Sequence, residues 1–285
     1  MPLPSYSILF PNSDKGFPMP HLAHICVYPI KSLGPISPAQ VAVLDGGALE
    51  HDREFAFFTG DDKFLNGKRT PKIHGLRSSF DLLTGDLCLE AVTMGETNNF
   101  HLPDDQDALE AWLTRYFEQP VFFKRNPLGG FPDDLNSPGP TVISTATLEE
   151  VASWFPSLSV DSARIRFRAN LEIGGVPPFW EDCLFGEPDT VVPFQIGDVI
   201  FHGVNPCQRC IVPPRDPETG EAIPDFSTIF RTMREKTLPS WAVRARFNHF
   251  YRLAVNTRIP ATEAGKLLHI GDEISLPNVQ PPHRV

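Results

Sequence analysis

A-R-I-R-F-R-A-N-L-E-I, residues 163–173, alternates polar and apolar side chains without a break. Ile165, Phe167, Ala169, Leu171 and Ile173 hold one set of alternate positions. Arg164, Arg166, Arg168, Asn170 and Glu172 hold the other. Successive side chains of a strand point to opposite faces, so this period predicts a strand with a core face and an arginine-rich face. Two readings of the polar face stand side by side. It is the solvated outside of a barrel, or Arg168 and Asn170 line a pocket for an anion. Guanidinium matches phosphate bidentately, and an Asn amide reads a heterocycle edge with both a donor and an acceptor.

Working outward, other segments have the same short-strand texture. H-I-C-V-Y-P-I-K (24–31), V-A-V-L-D (41–45), E-F-A-F-F (54–58) and D-L-C-L-E (86–90) are bounded by Gly, Pro or Asp. F-Q-I-G-D-V-I-F (194–201) and L-H-I-G-D-E-I-S-L (268–276) share an I-G-D turn leading into a strand. Thirty prolines against twenty glycines fit many loops better than a helical bundle. Two helices are predicted. Over 105–117, Ala108, Leu109, Trp112, Leu113, Tyr116 and Phe117 form one stripe after an acidic start. The second follows S-T-A-T-L-E-E-V, where Thr147 and Glu150 have capping-box spacing, Leu148, Val151, Ala152 and Phe155 face inward, and Pro156 stops it. The class is mainly β with a few helices, α+β. N-P-L-G-G-F-P-D-D-L-N-S-P-G-P (126–140) reads as a linker. It suggests a tail over 1–20 and two domains, 21–136 and 137–285.

Composition narrows the function. A net charge of −10 over 285 residues argues against nucleic-acid and anionic-membrane partners. The same balance makes any cluster of basic residues informative. Cys26, Cys88, Cys183, Cys207 and Cys210 are sparse and odd in number, which fits a reducing compartment rather than a disulfide framework. No apolar run approaches the ~18 residues of a membrane span, and the N-terminus lacks a cationic signal. The expected location is the cytoplasm.

N-P-C-Q-R-C-I-V-P-P-R-D-P-E-T-G (205–220) places Cys207 and Cys210 three apart, just before a double proline. A thioredoxin-type dithiol wants its first Cys at a helix N-terminus, where the thiol pKa falls. Pro213, Pro214 and Pro217 forbid such a helix. Structural zinc needs four ligands, and His202 and Cys183 are the other candidates in this half of the chain. A soft thiolate that anchors a redox metal, with a cofactor providing the remaining ligands, fits a loop of this kind.

The chain resembles the MOSC family of molybdenum-cofactor-binding proteins. The matching stretches are V-Y-P-I-K-S, H-D-R-E-F-A, F-R-A-N-L-E-I, W-E-D-C-L, C-Q-R-C-I with D-P-E-T-G, and F-N-H-F-Y-R-L-A-V-N. They run in the family's order from about residue 21 to the C-terminus. In particular they resemble the group with an N-terminal MOSC-type β-barrel domain, which includes the amidoxime-reducing components. The resemblance implies a MOSC β-barrel plus that N-terminal barrel. It implies Cys210 as the protein ligand to molybdenum. It also implies that Lys31, Ser32, Arg53, Ser144, Arg168, Asn170, Gln208, Arg209 and Phe250 hold the pterin and its phosphate.

Asp216 enters as a candidate proton relay, against a simpler role capping the D-P-E-T-G turn. Glu181 and Asp182 are expected to be structural. The implied activity is reduction of a small N-hydroxylated substrate. With no G-x-G-x-x-G and no Cys-rich tail, electrons are expected from an external protein, cytochrome b5-type or ferredoxin/flavin reductase-type. Pyridoxal phosphate binding attaches to the resemblance only as a family-level term. Phe250 and Pro213-Pro214 depart from the family pattern beside the metal loop, so substrate preference does not carry over. A cofactor or sulfur carrier without turnover and a zinc-stabilised interaction protein remain as alternatives.

Overall fold

The structure, a computed structural model, describes residues 19–277; of the tail expected over 1–20, residues 1–18 lie outside the described residues. The first strands are β1 (His21–Ile25), β2 (Gln40–Ala42) and β3 (Phe55–Thr59). A meander of β4 (Leu76–Asp81), β5 (Asp86–Ala91) and β6 (Glu96–His101) leads to helix α1 (Gln106–Phe117) and strand β7 (Val121–Arg125). Next come β8 (Val142–Ser144), helices α2 (Thr145–Ser153) and α3 (Val160–Phe167), and β9 (Leu171–Gly174). The hairpin β10 (Val192–Ile196) and β11 (Val199–Gln208) precedes α4 (Phe226–Lys236). β12 (Arg252–Arg258), β13 (Leu267–His269) and β14 (Ile274–Ser275) close the chain.

Seven strands form one sheet in the order β1-β9-β8-β12-β11-β10-β14. A bridge between His21 and Glu273 joins its two ends, and Leu22 N–H donates to Asp272 O at 2.8 Å, so the sheet nearly closes into a barrel. The fold is mostly β, as the short-strand texture suggests. Pairing is antiparallel except between β8 and β9. A parallel neighbour needs a crossover connection, and α2 and α3 supply it. The two I-G-D turns meet. Gly197 N–H donates to Glu273 O at 2.9 Å. A Cβ on Gly197, which has φ +53°, would lie 2.7 Å from an Asp272 carboxylate oxygen. Only glycine fits there.

The expected division at 136/137 places β1 and β2 in the N-terminal domain. Both are hydrogen-bonded into the C-terminal half, β1 to β9 and β2 to β13. Leu22, Ile25, Val41 and Val43 share a core with Leu171, Phe201 and Val255. A second core holds β3, the meander and the inner face of α1, where Leu109, Trp112, Leu113 and Tyr116 are buried. Ala108, the remaining member of that stripe's first turn, is exposed.

The quoted stretch 163–173 is not one strand. Residues 160–167 are helix α3, Arg168 turns the chain with φ 52°, and β9 starts at Leu171. Local helix signals win over the alternation. Ser159 caps the helix by accepting from Ser162 N–H, and Asp161 pairs with Arg164 one turn on. Ile165, an expected core residue, is 37% exposed. The cap of α2 also differs from expectation: Ser144, rather than Thr147, is the N-cap, and Thr147 N–H donates to its Oγ at 3.1 Å. W-E-D-C-L is structural, as expected, with Asp182 ion-paired to fully buried Arg234.

Candidate functional site

A cleft of about 720 Å³ opens where the N-terminal half meets the barrel. Lys31, Ser32, Arg53, Arg168, Asn170, Gln208, Arg209 and Cys210 line it, with Cys207 beside them. These residues come from four separate places in the chain. Lys31 and Ser32 follow the bridge between Ile30 and Phe55, where Lys31 N–H donates to Phe55 O at 2.8 Å. Arg53 N–H donates to Tyr28 O at 2.8 Å. Arg168 sits at the turn between α3 and β9, and the cysteines lie at the end of β11 and just beyond.

Ser32, Arg53 and Arg168 all have positive φ (74°, 54° and 52°). A non-glycine residue in the left-handed region costs on the order of 1 kcal/mol or more and persists where the surroundings over-determine it. Here three such residues share one wall. Tyr28 helps to fix them. Its ring is fully buried, with the Arg168 guanidinium 4.0 Å from its centroid on cation–π terms and that of Arg53 at 5.4 Å. The short strand signal read over 24–31 included Tyr28 but said nothing of two cations on its ring, and the strand itself, β1, ends at Ile25.

The charges in the cleft divide into paired and unpaired. Lys31 is buried, and its ammonium donates to Asp133 at 2.6 Å and to Phe131 O at 2.8 Å. Burial pulls the Lys31 pKa down while Asp133 opposes the shift. Burial would raise the Asp133 carboxyl, but Lys31, Lys68 and Arg53 hold it at about 2. Arg53 pairs with Asp52. Arg168 donates one nitrogen to Leu33 O at 2.7 Å, and its Nη2 is buried with no partner among the described residues. Arg209 donates to Phe167 O and, at 3.2 Å, to Cys207 Sγ, while its Nε is buried without a partner among the described residues. Neither Arg168 nor Arg209 has a carboxylate partner among the ion pairs of the described residues. Among the described residues Cys210 Sγ accepts one long bond, from Val212 N–H at 3.5 Å.

Several predicted site residues do other work. Asn170 lines the cleft, but its amide is committed: Nδ2 donates to Cys26 O at 3.1 Å and Oδ1 accepts from Thr141 N–H at 3.2 Å. It fastens the wall. Ser144 lies outside the cleft and is fully buried as the cap of α2. Phe250 is also outside, stacked on Phe247 at 5.8 Å beneath the Arg244 guanidinium. Asp216 is the turn cap of the simpler reading. One oxygen accepts from the N–H groups of Glu218 and Thr219, and the other pairs with Arg166 at 2.9 Å. Burial alone would raise its carboxyl, yet these backbone donors and Arg166 leave it below its ordinary value. A group held ionised in this way is a poor proton relay.

Two lining residues were missed. His74, from the 3-10 turn Pro71–Gly75, and Arg215, from the loop after the cysteines, each have a buried ring or side-chain nitrogen with no partner among the described residues. N-G-K-R-T-P-K-I-H-G (66–75) carries a basic run before a turn, which could have marked the first. Among the described residues no helix is long and apolar enough to cross a membrane.

The MOSC N-terminal beta barrel domain matches residues 19–120, and the MOSC domain matches residues 141–275. Molybdenum cofactor sulfurase of Caenorhabditis briggsae is 23% identical over 253 residues, covering 81% of this chain and 34% of the sulfurase. That of Caenorhabditis elegans is 23% identical over 252 residues, again 81% and 34%. That of Oryza sativa subsp. japonica is 23% identical over 255 residues, 73% and 30%. The chain spans about a third of the length of these curated relatives.

Proposed function

From the premise that the chain belongs to the MOSC family, we propose that the cleft holds molybdenum cofactor. We further propose that the protein reduces small N-hydroxylated compounds with electrons from a separate donor protein, cytochrome b5-type or ferredoxin/flavin reductase-type. The observation that carries the reading is a pair of buried, unpartnered guanidinium nitrogens, on Arg168 and Arg209, in a chain of net charge −10. Buried donors without acceptors are costly unless something bound supplies the acceptor. A phosphate does so, and a thiolate at Cys210 suits a soft redox metal. The residues present fit the group.

In this reading Arg168, Arg209, Lys31 and Arg53 hold the anionic end, and Ser32 and Gln208 shape the wall. Cys210 supplies the protein thiolate. When bound, the cofactor supplies a metal that changes oxidation state by two electrons at once. The net reaction consumes two electrons and two protons and releases the hydroxyl oxygen as water. The chain's own part is to orient the cofactor, keep the soft ligand inside the cleft and exclude bulk water from the reacting end. Among the described residues no group of three or more His, Cys, Asp or Glu is placed to hold a metal ion, which speaks against structural zinc with its four ligands. A second reading, a cofactor or sulfur carrier without turnover, is favoured by the names of the sulfurase relatives.

Protein made in a host able to synthesise the cofactor tests this. Molybdenum and a phosphate-bearing pterin should be present near stoichiometry. Cys210→Ser should lose molybdenum and all N-hydroxyl reduction while oxidised-pterin fluorescence persists. Cys207→Ser should retain both metal and turnover. Zinc without pterin would sink the proposal, and stoichiometric molybdenum with no turnover of any N-hydroxylated probe would hand it to the carrier.

A further inference from the structure

The cleft has more unsatisfied nitrogen than one cofactor's anionic end requires. Besides Arg168 and Arg209, Arg215 Nε and His74 Nε2 are buried with no hydrogen-bond partner among the described residues. Arg215 has one weak bond, from Nη1 to Gly220 O at 3.4 Å, and no carboxylate partner among the ion pairs of the described residues. His74 is close enough to feel the Arg215 charge. Burial and then the Arg215 charge, against a backbone hydrogen bond with Gly67 and with a smaller push from Arg168, keep the imidazole below its ordinary pKa and so neutral at pH 7. Gly67 makes room for the ring, since a Cβ there would sit 2.9 Å from His74 Nε2. The two side chains come from opposite halves of the protein and face one cleft.

We propose that His74 and Arg215 form a substrate-side anion site, and that the substrate carries a carboxylate in addition to its N-hydroxyl group. This rests on the reductase reading above. The chemistry favours a carboxylate over a phosphate. One guanidinium and one neutral imidazole offer a single positive charge and a second hydrogen bond, which match the charge and two oxygens of a carboxylate. A dianion would meet more repulsion than a monoanion from Asp134 and Glu218, which also line the cleft. Glu218 itself is turned to Arg77 at 3.4 Å and leaves Arg215 free. The cleft volume of about 720 Å³ lies within the ~300–1,000 Å³ of small-molecule sites, as cofactor and small substrate together require.

The test compares an aryl amidoxime with its 4-carboxylate in cofactor-loaded protein, using dithionite-reduced methyl viologen as electron source. Wild type should favour the carboxylated probe in kcat/KM by about tenfold, the effect of one charge-assisted contact. Arg215→Gln should collapse that ratio through KM, and Arg215→Lys should restore part of it. His74→Ala should reduce the ratio by a smaller factor. Calorimetric binding of benzoate to the loaded protein should weaken about tenfold in Arg215→Gln. A ratio near one in wild type, or one that survives in both Arg215→Gln and His74→Ala, overturns the site while leaving the reductase reading intact. If wild type reduces neither probe, the reductase reading falls and benzoate decides alone. Weakened binding in Arg215→Gln then keeps the anion site, and unchanged binding removes it.

Discussion

Arg164 and Arg168 lie one helical turn apart and do opposite work. Arg164 is spent on the fold: its Nε and Nη2 bond both oxygens of buried Glu172, at 2.6 and 2.9 Å, and its Nη1 reaches Asp161. Arg168 has a nitrogen to spare inside the cleft. Replacing Arg168 with Ala should therefore weaken cofactor retention roughly ten- to a hundredfold, the equivalent of ~1.5–3 kcal/mol for a charge-assisted bond. Replacing Arg164 with Ala should act on stability instead, because it strands a buried carboxylate. Equilibrium dialysis of the pterin, set against thermal melts of both variants, separates the two. Equal retention losses with equal melts would remove Arg168 from the cofactor site. The alternation alone placed both arginines on one face, and only the helical geometry tells them apart.

At the scale of elements, much was legible and the failures have a common cause. The α1 stripe and the strands at 54–58 and 86–90 lie close to where periodicity put them, because their inner residues pack on one core. The stretch 163–173 misled because a helix of eight residues followed by a left-handed residue and a short strand can mimic period two. Neither element is long enough for its own period to show. The same shortness hid the cap of α2. Ser144 ends β8 and caps α2 at once, so the residue expected at the cofactor is fixed in a strand-to-helix joint. Its Oγ also meets Thr147 Oγ1 at 2.8 Å, which donates to buried Glu181 at 3.0 Å. Ser144→Ala should cost about 1 kcal/mol, within the ~0.5–2 range of N-cap losses. Chemical denaturation would read that cost, and pterin retention should not change. Lost retention without lost stability would return Ser144 to the binding residues. In the candidate site, residue types were legible from the arginine cluster and the cysteine pair. Their partners were not, since the contacts of Arg168 with Leu33 and of Asn170 with Cys26 span more than a hundred residues.

The whole molecule depends on its first strand. β1 fills the gap between β9 and the neighbourhood of β14, with His21 bridged to Glu273 at one side and Leu22 paired with Ile173 at the other. Six side chains from before residue 50, Leu22, Ile25, Val27, Val41, Val43 and Leu49, complete a core otherwise built from the C-terminal half. Burying each stabilises by about 1.5–3 kcal/mol. Together that is about 9–18 kcal/mol, as large as the ~5–15 kcal/mol net stability of a typical domain. The cofactor cleft has the same dependence, because Lys31 and Ser32 belong to this segment and Arg53 follows it directly. A fragment of residues 137–285 should therefore fail to fold alone. It should show no cooperative thermal transition and should bind a hydrophobic dye, with an unpaired β9 edge open to aggregation. A peptide of residues 19–52, supplied in trans, should restore a cooperative melt by refilling the sheet and its core. A well-dispersed amide spectrum and a sharp melt from 137–285 by itself would show that the barrel closes without β1. The burial ledger for those six residues would then be wrong.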